Sequence, residues 1–251
     1  MISLSTVKAA TERALASGAL EPISTEAEVI EDEGVRFVVR VASSLERKRS
    51  ARDARADPLG EYETDLFVGE VSRTHYVLLN KFNVLPLHLL IVTRRFEPQE
   101  GLLSPEDFGA LSSCLAELDW LGFYNAGRDA GASQARKHLQ LVSMPEIPIE
   151  PYLASGARLP FAHAFAPLAP GSDLHAAYRD LLRWDGPYNL LVTRRWMLLV
   201  PRSREHFQSI SVNALGFAGS LFVRNRRELD LVRKTGPMNL LREVGTKLVS
   251  L

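Results

Sequence analysis

The chain has a single cysteine, Cys114, among its 251 residues. One thiol excludes an intramolecular disulfide and any cysteine-based metal cage, and it fits a reducing cytoplasm. Excess charge is absent too. The 30 lysines and arginines are balanced by 30 aspartates and glutamates, for a formal net charge of +0. No global field then draws the protein onto nucleic acid or an anionic membrane, so an anionic ligand must be held by local arrangement. Long apolar runs are lacking. The longest, around Tyr76–Val92, is broken by Asn80, Lys81, Asn83 and His88 and is too short and too polar to span a bilayer. Met1-Ile2-Ser3-Leu4 carries no basic start followed by an apolar stretch, so no signal peptide is expected. There is no Gly-x-Gly or Walker-type loop, which excludes the P-loop and dinucleotide folds, and no histidine spacing suggests a metal cage.

What is present is a core. With 46% hydrophobic residues, the chain can form one large domain or two closely joined ones. Residues 3–18 read as an amphipathic helix, and Val29–Arg40 as one strand or two. The charged run from Glu46-Arg47-Lys48-Arg49 to Asp57 has little to bury and reads as a loop. Thr74–Leu79 and His88–Thr93 read as paired strands. Ser104-Pro105-Glu106-Asp107 caps a helix whose apolar face is Phe108, Leu111, Leu115 and Leu118. Trp120–Ala126 and Arg136–Val142 are strand-like, around a small-residue loop, Gly127–Ser133. A proline-rich link follows (Pro145, Pro148, Pro151, Pro160), then a helix over Ser172–Trp184. Tyr188–Val192 and Trp196–Val200 form a second hairpin, and the tail, Val212–Val249, reads as mostly helical. Hairpins with helices grouped between them give an α+β class. Leu89–Arg95 echoes Leu190–Arg195, through either convergent strand-exit chemistry or duplication of a half-sheet unit.

The chemistry concentrates between Asn125 and Val142. In a strand, residues two apart share a face, so Arg136, His138 and Gln140 are expected on one side and Leu139 and Leu141 on the other, in the core. Just before them, Gly131-Ala132-Ser133-Gln134 is small enough to bring backbone N–H groups and two polar side chains against a phosphate. A neutral imidazole is a good nucleophile toward phosphorus, and fixed donors must meet the charge that develops on the non-bridging oxygens.

This stretch resembles the active site of the diadenosine tetraphosphate phosphorylases, or ATP adenylyltransferases, a branch of the histidine-triad superfamily. Asn125, Gly131-Ala132-Ser133-Gln134 and the run Arg136-Lys137-His138-Leu139-Gln140 carry the likeness. The resemblance implies that His138 is the nucleophile. Arg136 stands where the family has its first motif histidine, an obligate cation in place of a group that can be neutral. Gln140 stands where hydrolase branches have a third histidine. An amide cannot supply a proton as an imidazolium can, which favours transfer over hydrolysis.

The segment Leu78-Leu79-Asn80-Lys81-Phe82-Asn83-Val84 is similar to a family segment in which Asn80 and Lys81 would contact phosphate. Lys48 is the candidate for an upstream lysine. Asn213, Ala214 and Leu215, then Ser220 and Arg224, match a second nucleotide-contact segment, where the family often has Met and Lys at the last two places.

The resemblance implies a histidine-triad-like mixed antiparallel sheet over residues 1–160. A C-terminal region, 161–251, completes the nucleotide site and packs on the core as one compact unit. It implies reversible phosphorolysis of diadenosine tetraphosphate to ATP and ADP, with inorganic phosphate as acceptor, through an adenylyl-His138. No tightly bound cofactor is expected, although Mg2+ could accompany the polyphosphate. No nucleic-acid or membrane partner is expected. Two alternatives stay open: a transferase with another acceptor such as sulfate, of ADP-sulfurylase type, or a nucleotide-binding sensor with weakened catalysis. His75 and His88 read as structural or surface residues. Tyr76, Phe82 and Phe123 could stack on adenine or belong to the core.

Overall fold

A computed structural model describes residues 2–42 and 56–248. The N-terminal helix α1 spans Leu4–Ala16. Ser3 caps it by accepting from the Thr6 N–H, and Val7, Ala10 and Ala14 form its buried stripe. Strands β1 (Glu26–Asp32) and β2 (Val35–Val41) form a tight hairpin. Its turn residues Glu33 and Gly34 both have positive φ, 47° and 82°, the geometry that matches strand twist in two-residue loops.

The main sheet has eight strands: β3 (Phe67–Glu70), β4 (His75–Leu79), β5 (Leu89–Thr93), β6 (Leu121–Ala126), β7 (His138–Val142), β8 (Ala164–Pro167), β9 (Tyr188–Val192) and β10 (Trp196–Pro201). Their order is β3-β4-β5-β7-β6-β9-β10-β8, with every pairing antiparallel. Helix α2 (Pro105–Glu117) starts with the expected Ser104 cap, closed into a capping box by Asp107. Helix α3 is short (Glu150–Ala154), and α4 covers Leu174–Leu181.

Both faces of the sheet are covered, which is why all five residues of β7 are buried. Leu139 and Leu141 join α1, α2 and α4 in one core through Val7, Leu111 and Tyr178. Phe123, Leu191 and Leu198 belong to a second core on the other face. Strand alternation therefore turns His138 and Gln140 toward that second face.

The second face is covered by the C-terminal region. Over its described residues the tail from Val212 on is mostly helical, as expected, with one strand set between its helices. The short strands β11 (His206–Phe207) and β12 (Ile210–Ser211) lead to α5 (Ala214–Phe217), then β13 (Ser220–Val223), α6 (Arg226–Thr235) and α7 (Pro237–Val244). Strand β13 pairs in parallel with β2, so the end of the chain closes a layer begun near its start. Only Leu221 and Val223 alternate inward there, too short a run to show a period. No helix among the described residues is long and apolar enough to cross a membrane.

A strand–helix–strand–strand unit occurs twice, as β5-α2-β6-β7 and as β8-α4-β9-β10, meeting where β6 pairs with β9. The sequence Trp-x-Gly-x-Tyr-Asn recurs at 120–125 and 184–189, leading into those two central strands. The echo between Leu89–Arg95 and Leu190–Arg195 does not belong to this repeat. It matches β5, an outer strand of the first unit, with β9, an inner strand of the second. In the second unit Asn189 pairs with Val200. Continuing the β6–β7 register, in which Phe123 faces Gln140, sets Asn125 opposite His138. The repeat thus carries an imidazole in one half and an isopropyl group in the other.

Candidate active site

Between the sheet and the C-terminal layer lies a cleft of about 820 Å³. Its walls include Leu59, Tyr62, Asn80, Lys81, Phe82, His88, Asn125, Arg128, Gly131, Ala132, Ser133, Gln134, His138, Gln140, Asn213, Leu215 and Arg224.

His138 is 4% exposed, and its Nδ1 lies 2.9 Å from the carbonyl oxygen of Arg136. A carbonyl only accepts, so Nδ1 carries the hydrogen and the lone pair resides on Nε2. The peptide of His138 is clamped as firmly as its ring. Its N–H donates to Oε1 of Gln99 at 2.8 Å. Nε2 of Gln99 donates back to the carbonyls of Asn125 at 2.9 Å and His138 at 3.3 Å. The β6–β7 ladder runs through Phe123 and Gln140 and then gives way to this inserted amide. Gln99 is 1% exposed and is held by its own N–H on the Ala135 carbonyl. Sequence reasoning missed it, because its role depends on a loop folding back beside residues 135–138.

Gln140 Oε1 lies 2.8 Å from His88 Nε2, and His88 Nδ1 lies 3.1 Å from Asn80 Nδ2. His88 is therefore a buried wall residue of the cleft, in contact with Gln140. Phe123 and Tyr76 are core residues, while Phe82 and Tyr62 line the cleft.

Asn125 ties three elements together. Its Oδ1 accepts from Asn189 Nδ2 at 2.8 Å and from the Ala214 N–H at 2.9 Å. Ala214 thus gives its backbone donor to Asn125 and is not a wall residue. Asn213 caps α5 by accepting from the Leu215 N–H. The loop before β7 closes on itself. The N–H groups of Ala130 and Ala132 donate to the Gly127 carbonyl, and that of Gly131 donates to Arg128. Those donors are not offered to a phosphate, and the polar side chains that reach the cleft from this loop are Arg128 near its start and Ser133 and Gln134 at its far end. Gly131 has φ +85°, and a Cβ there would sit 2.8 Å from the Val212 carbonyl, so only glycine fits. Beneath the loop, buried Arg202 donates to the carbonyls of Ala130, Val212, Arg204, Glu205 and Val244 and to Asn189 Oδ1. Burial pulls its pKa down.

Two further expected site residues, Arg136 and Ser220, lie off the cleft wall. Strand β7 begins at His138, so Arg136 does not share its face and is not a wall residue. Its Nε donates to Asp57 at 2.9 and 3.1 Å, its Nη2 to Asp57 at 2.5 Å, and its Nη1 to the carbonyls of Thr93 and Arg94 at 2.9 and 3.2 Å. Asp57 is held below its ordinary value by the Arg136 hydrogen bond. Ser220 is 1% exposed and accepts from Arg40 at 2.9 Å, because β13 faces β2 at that point. Lys48 lies outside the described residues.

Two of the cations that line the cleft, Lys81 and Arg224, are matched by carboxylates. Lys81 Nζ sits 2.8 Å from Glu63 and 3.4 Å from Glu21. Burial works against its charge, but these two acids raise its pKa. Arg224 donates from Nε and from its backbone N–H to Glu228, each at 2.8 Å. Glu228, 4% exposed, is a second wall residue that sequence reasoning missed. Among the described residues, no group of three or more His, Cys, Asp or Glu side chains could hold a metal ion.

A cleft of this size, with a tautomer-fixed imidazole beside an amide and cations set in its walls, fits a nucleotidyltransferase. Residues 3–156 match the family model for the Ap4A phosphorylase N-terminal domain, and residues 157–247 match the ATP adenylyltransferase C-terminal domain. Diadenosine 5',5'''-P1,P4-tetraphosphate phosphorylase 2 of Saccharomyces cerevisiae is 30% identical over 253 aligned positions, covering 78% of this chain and 77% of its own. Protein APA1 of the same yeast is 29% identical over 221 positions, covering 67% of this chain and 69% of its own. The crystal structure of yeast Ap4A phosphorylase Apa2 superposes with a TM-score of 0.86 at 26% identity over 98% of each chain. Its complex with Ap4A gives 0.84. The chain belongs to the Ap4A phosphorylase family of nucleotidyltransferases.

Proposed function

We propose that the protein catalyses reversible phosphorolysis of diadenosine tetraphosphate (Ap4A) to ATP and ADP through a covalent adenylyl-His138. Nε2 of His138 attacks an α-phosphorus, the bond from that phosphorus to the bridging oxygen breaks, and ATP leaves. An oxygen of inorganic phosphate then attacks the same phosphorus, the P–N bond breaks, and ADP leaves with the imidazole restored. In reverse, ADP supplies the adenylyl group and ATP accepts it. One observation carries this reading. The Arg136 carbonyl holds the ring in the tautomer with its lone pair on Nε2, in a cleft where its strand neighbour is the Gln140 amide. Such an amide can donate to the non-bridging oxygens, while no proton-donating imidazolium stands at position 140 to favour water as acceptor. Ser133, Gln134, Lys81 and Arg224 hold the phosphate chain in this reading, Asn213 and Leu215 border a nucleotide, and Mg2+ arrives with the polyphosphate. The protein works in the cytoplasm on small molecules, without nucleic acid or membrane.

The test is to mix the protein with Ap4A, with and without phosphate, and to follow both the protein mass and the products. An acid-labile AMP adduct on His138, and ADP formed only with phosphate present, supports the reading. Phosphate-independent AMP release identifies a hydrolase. Sulfate serving better than phosphate identifies the other transferase. Nucleotide binding without any adduct leaves a sensor.

A further inference from the structure

The three side chains Asn80, His88 and Gln140 form a hydrogen-bonded row that ends beside His138, on the cleft wall. An oxyanion developing on phosphorus needs donors, not acceptors. If Gln140 is to donate there, its NH2 must face the cleft and its Oε1 must face away, toward His88. An Oε1 accepts only, so His88 Nε2 must carry the hydrogen. A neutral ring then accepts at Nδ1, and the neighbour of Nδ1 must be a donor, which is the Nδ2 of Asn80. Each requirement matches a contact in the row, 2.8 Å from Nε2 to Gln140 and 3.1 Å from Nδ1 to Asn80, whose Nδ2 stands farther from Nε2, at 3.5 Å. The ring also packs against Phe123, with centroids 5.8 Å apart and the planes tilted by 50°.

We infer that Asn80 and His88 are positioning residues. Through the tautomer of His88, they fix which end of the Gln140 amide faces the reacting phosphoryl group. The inference rests on the phosphorolysis reading for its consequence, but not for its geometry. It adds to the role of Asn80, one of whose two amide hydrogens goes to His88 Nδ1. Among the described residues, the charged or titratable groups that line the cleft with His88 are His138 on β7, Tyr62, Glu63 and Lys81 on the Asn80 side, Arg128 from the loop, and Glu205, His206, Arg224 and Glu228 from the C-terminal layer.

The deciding experiment is 15N NMR of histidine-labelled protein, with His88 assigned by the loss of its signals in His88→Leu. The expected result is a neutral His88 with hydrogen on Nε2. Hydrogen on Nδ1 overturns the inference, whether or not the protein turns over Ap4A. Asn80→Asp sharpens the test without emptying the site. A carboxylate there demands a hydrogen from Nδ1. Only a protonated His88 then keeps Nε2–H, so kcat should fall relative to the native protein as pH rises between about 6 and 9. A loss uniform with pH, expressed as a raised KM, means that Asn80 meets phosphate directly and overturns the inference. Asn80→Leu and His88→Leu should each lower kcat on the order of 10²-fold, as removal of one oxyanion donor does, and together by no more than either alone. Additive losses would also overturn it. Failure of the native protein to release ATP and ADP overturns the function and leaves the tautomer result standing.

Discussion

The Nδ1 nitrogen of His138 lies 2.9 Å from the carbonyl oxygen of Arg136, two residues back on the same chain. The contact is local, so it survives most changes of side chain around it, and it fixes the tautomer before any ligand arrives. His138→Ala should therefore abolish turnover while leaving nucleotide affinity within about tenfold, because the walls that hold the nucleotide are built by other residues. Steady-state kinetics beside calorimetric titration with AMP checks this. Substantial remaining turnover would refute covalent catalysis at His138.

Gln99 stands in for the rung that the β6–β7 ladder lacks next to the nucleophile. Replacing it by leucine strands the His138 N–H and two buried carbonyls, each a loss on the order of 1–3 kcal/mol if no water enters. Gln99→Glu keeps the acceptor for His138 but sets a carboxylate against the carbonyls of Asn125 and His138. Both variants should unfold at lower urea concentration than the native protein. Both should also lose kcat by at least about tenfold as the nucleophile drifts from its line of attack. A variant of native stability and native kcat would show that the ladder closes without the amide.

Residues whose partners are near in sequence were legible in advance. The alternation of His138 and Gln140 with Leu139 and Leu141, the Ser104 cap and the hairpin strands all follow from local spacing. Gln99 and Arg202 were not, because each gains its role only when distant segments meet around it. Glu228 lies four residues from Arg224, and what spacing did not report is that the pair faces the cleft. Arg136 was legible as a departure from its family but not in its placement. Strand β7 starts two residues later than periodicity suggests, since segment 97–99 occupies the edge along residues 135–137. The parallel pairing of β13 with β2 joins opposite ends of the chain, and no local pattern reports such a contact.

The ion pair between Arg136 and Asp57 pins the wall segment that carries Leu59 and Tyr62. Gly60 belongs to the same anchor. Its N–H donates to Asp57 at 3.0 Å, and a Cβ there would approach Arg136 Nη2 to 2.6 Å. The hydrogen bond from Arg136 holds the Asp57 carboxyl below its ordinary 3.8. A carboxylate with a depressed folded pKa contributes stability above the unfolded value and loses it as pH falls through the folded one. Hydrogen exchange over residues 59–62, corrected for intrinsic rates, should therefore be slow at neutral pH and speed up below about pH 4. Asp57→Asn and Arg136→Met should each exchange fast at neutral pH, and the double variant no faster than either. Equal raised KM values for Ap4A in all three would follow. An Arg136 variant that raises KM while the wall stays protected would instead place its guanidinium on substrate.

Gln140→His tests why this cleft would choose phosphate over water. An imidazole at position 140 can meet His88 as the amide does, yet it can also carry a proton to a leaving oxygen and take one from an attacking water. Phosphate brings its own nucleophilic oxygen and needs less of that help. The variant should therefore release AMP from Ap4A without phosphate, at a rate at least about tenfold above the native protein, while phosphorolysis falls because one ring N–H replaces the two amide hydrogens that meet the non-bridging oxygens. Chromatography of products with and without phosphate measures both rates on one sample. If AMP release stays at the native level while the His138 adduct still forms, the choice of acceptor lies outside Gln140, and the walls around Ser133, Gln134 and Arg224 become the place to look for it.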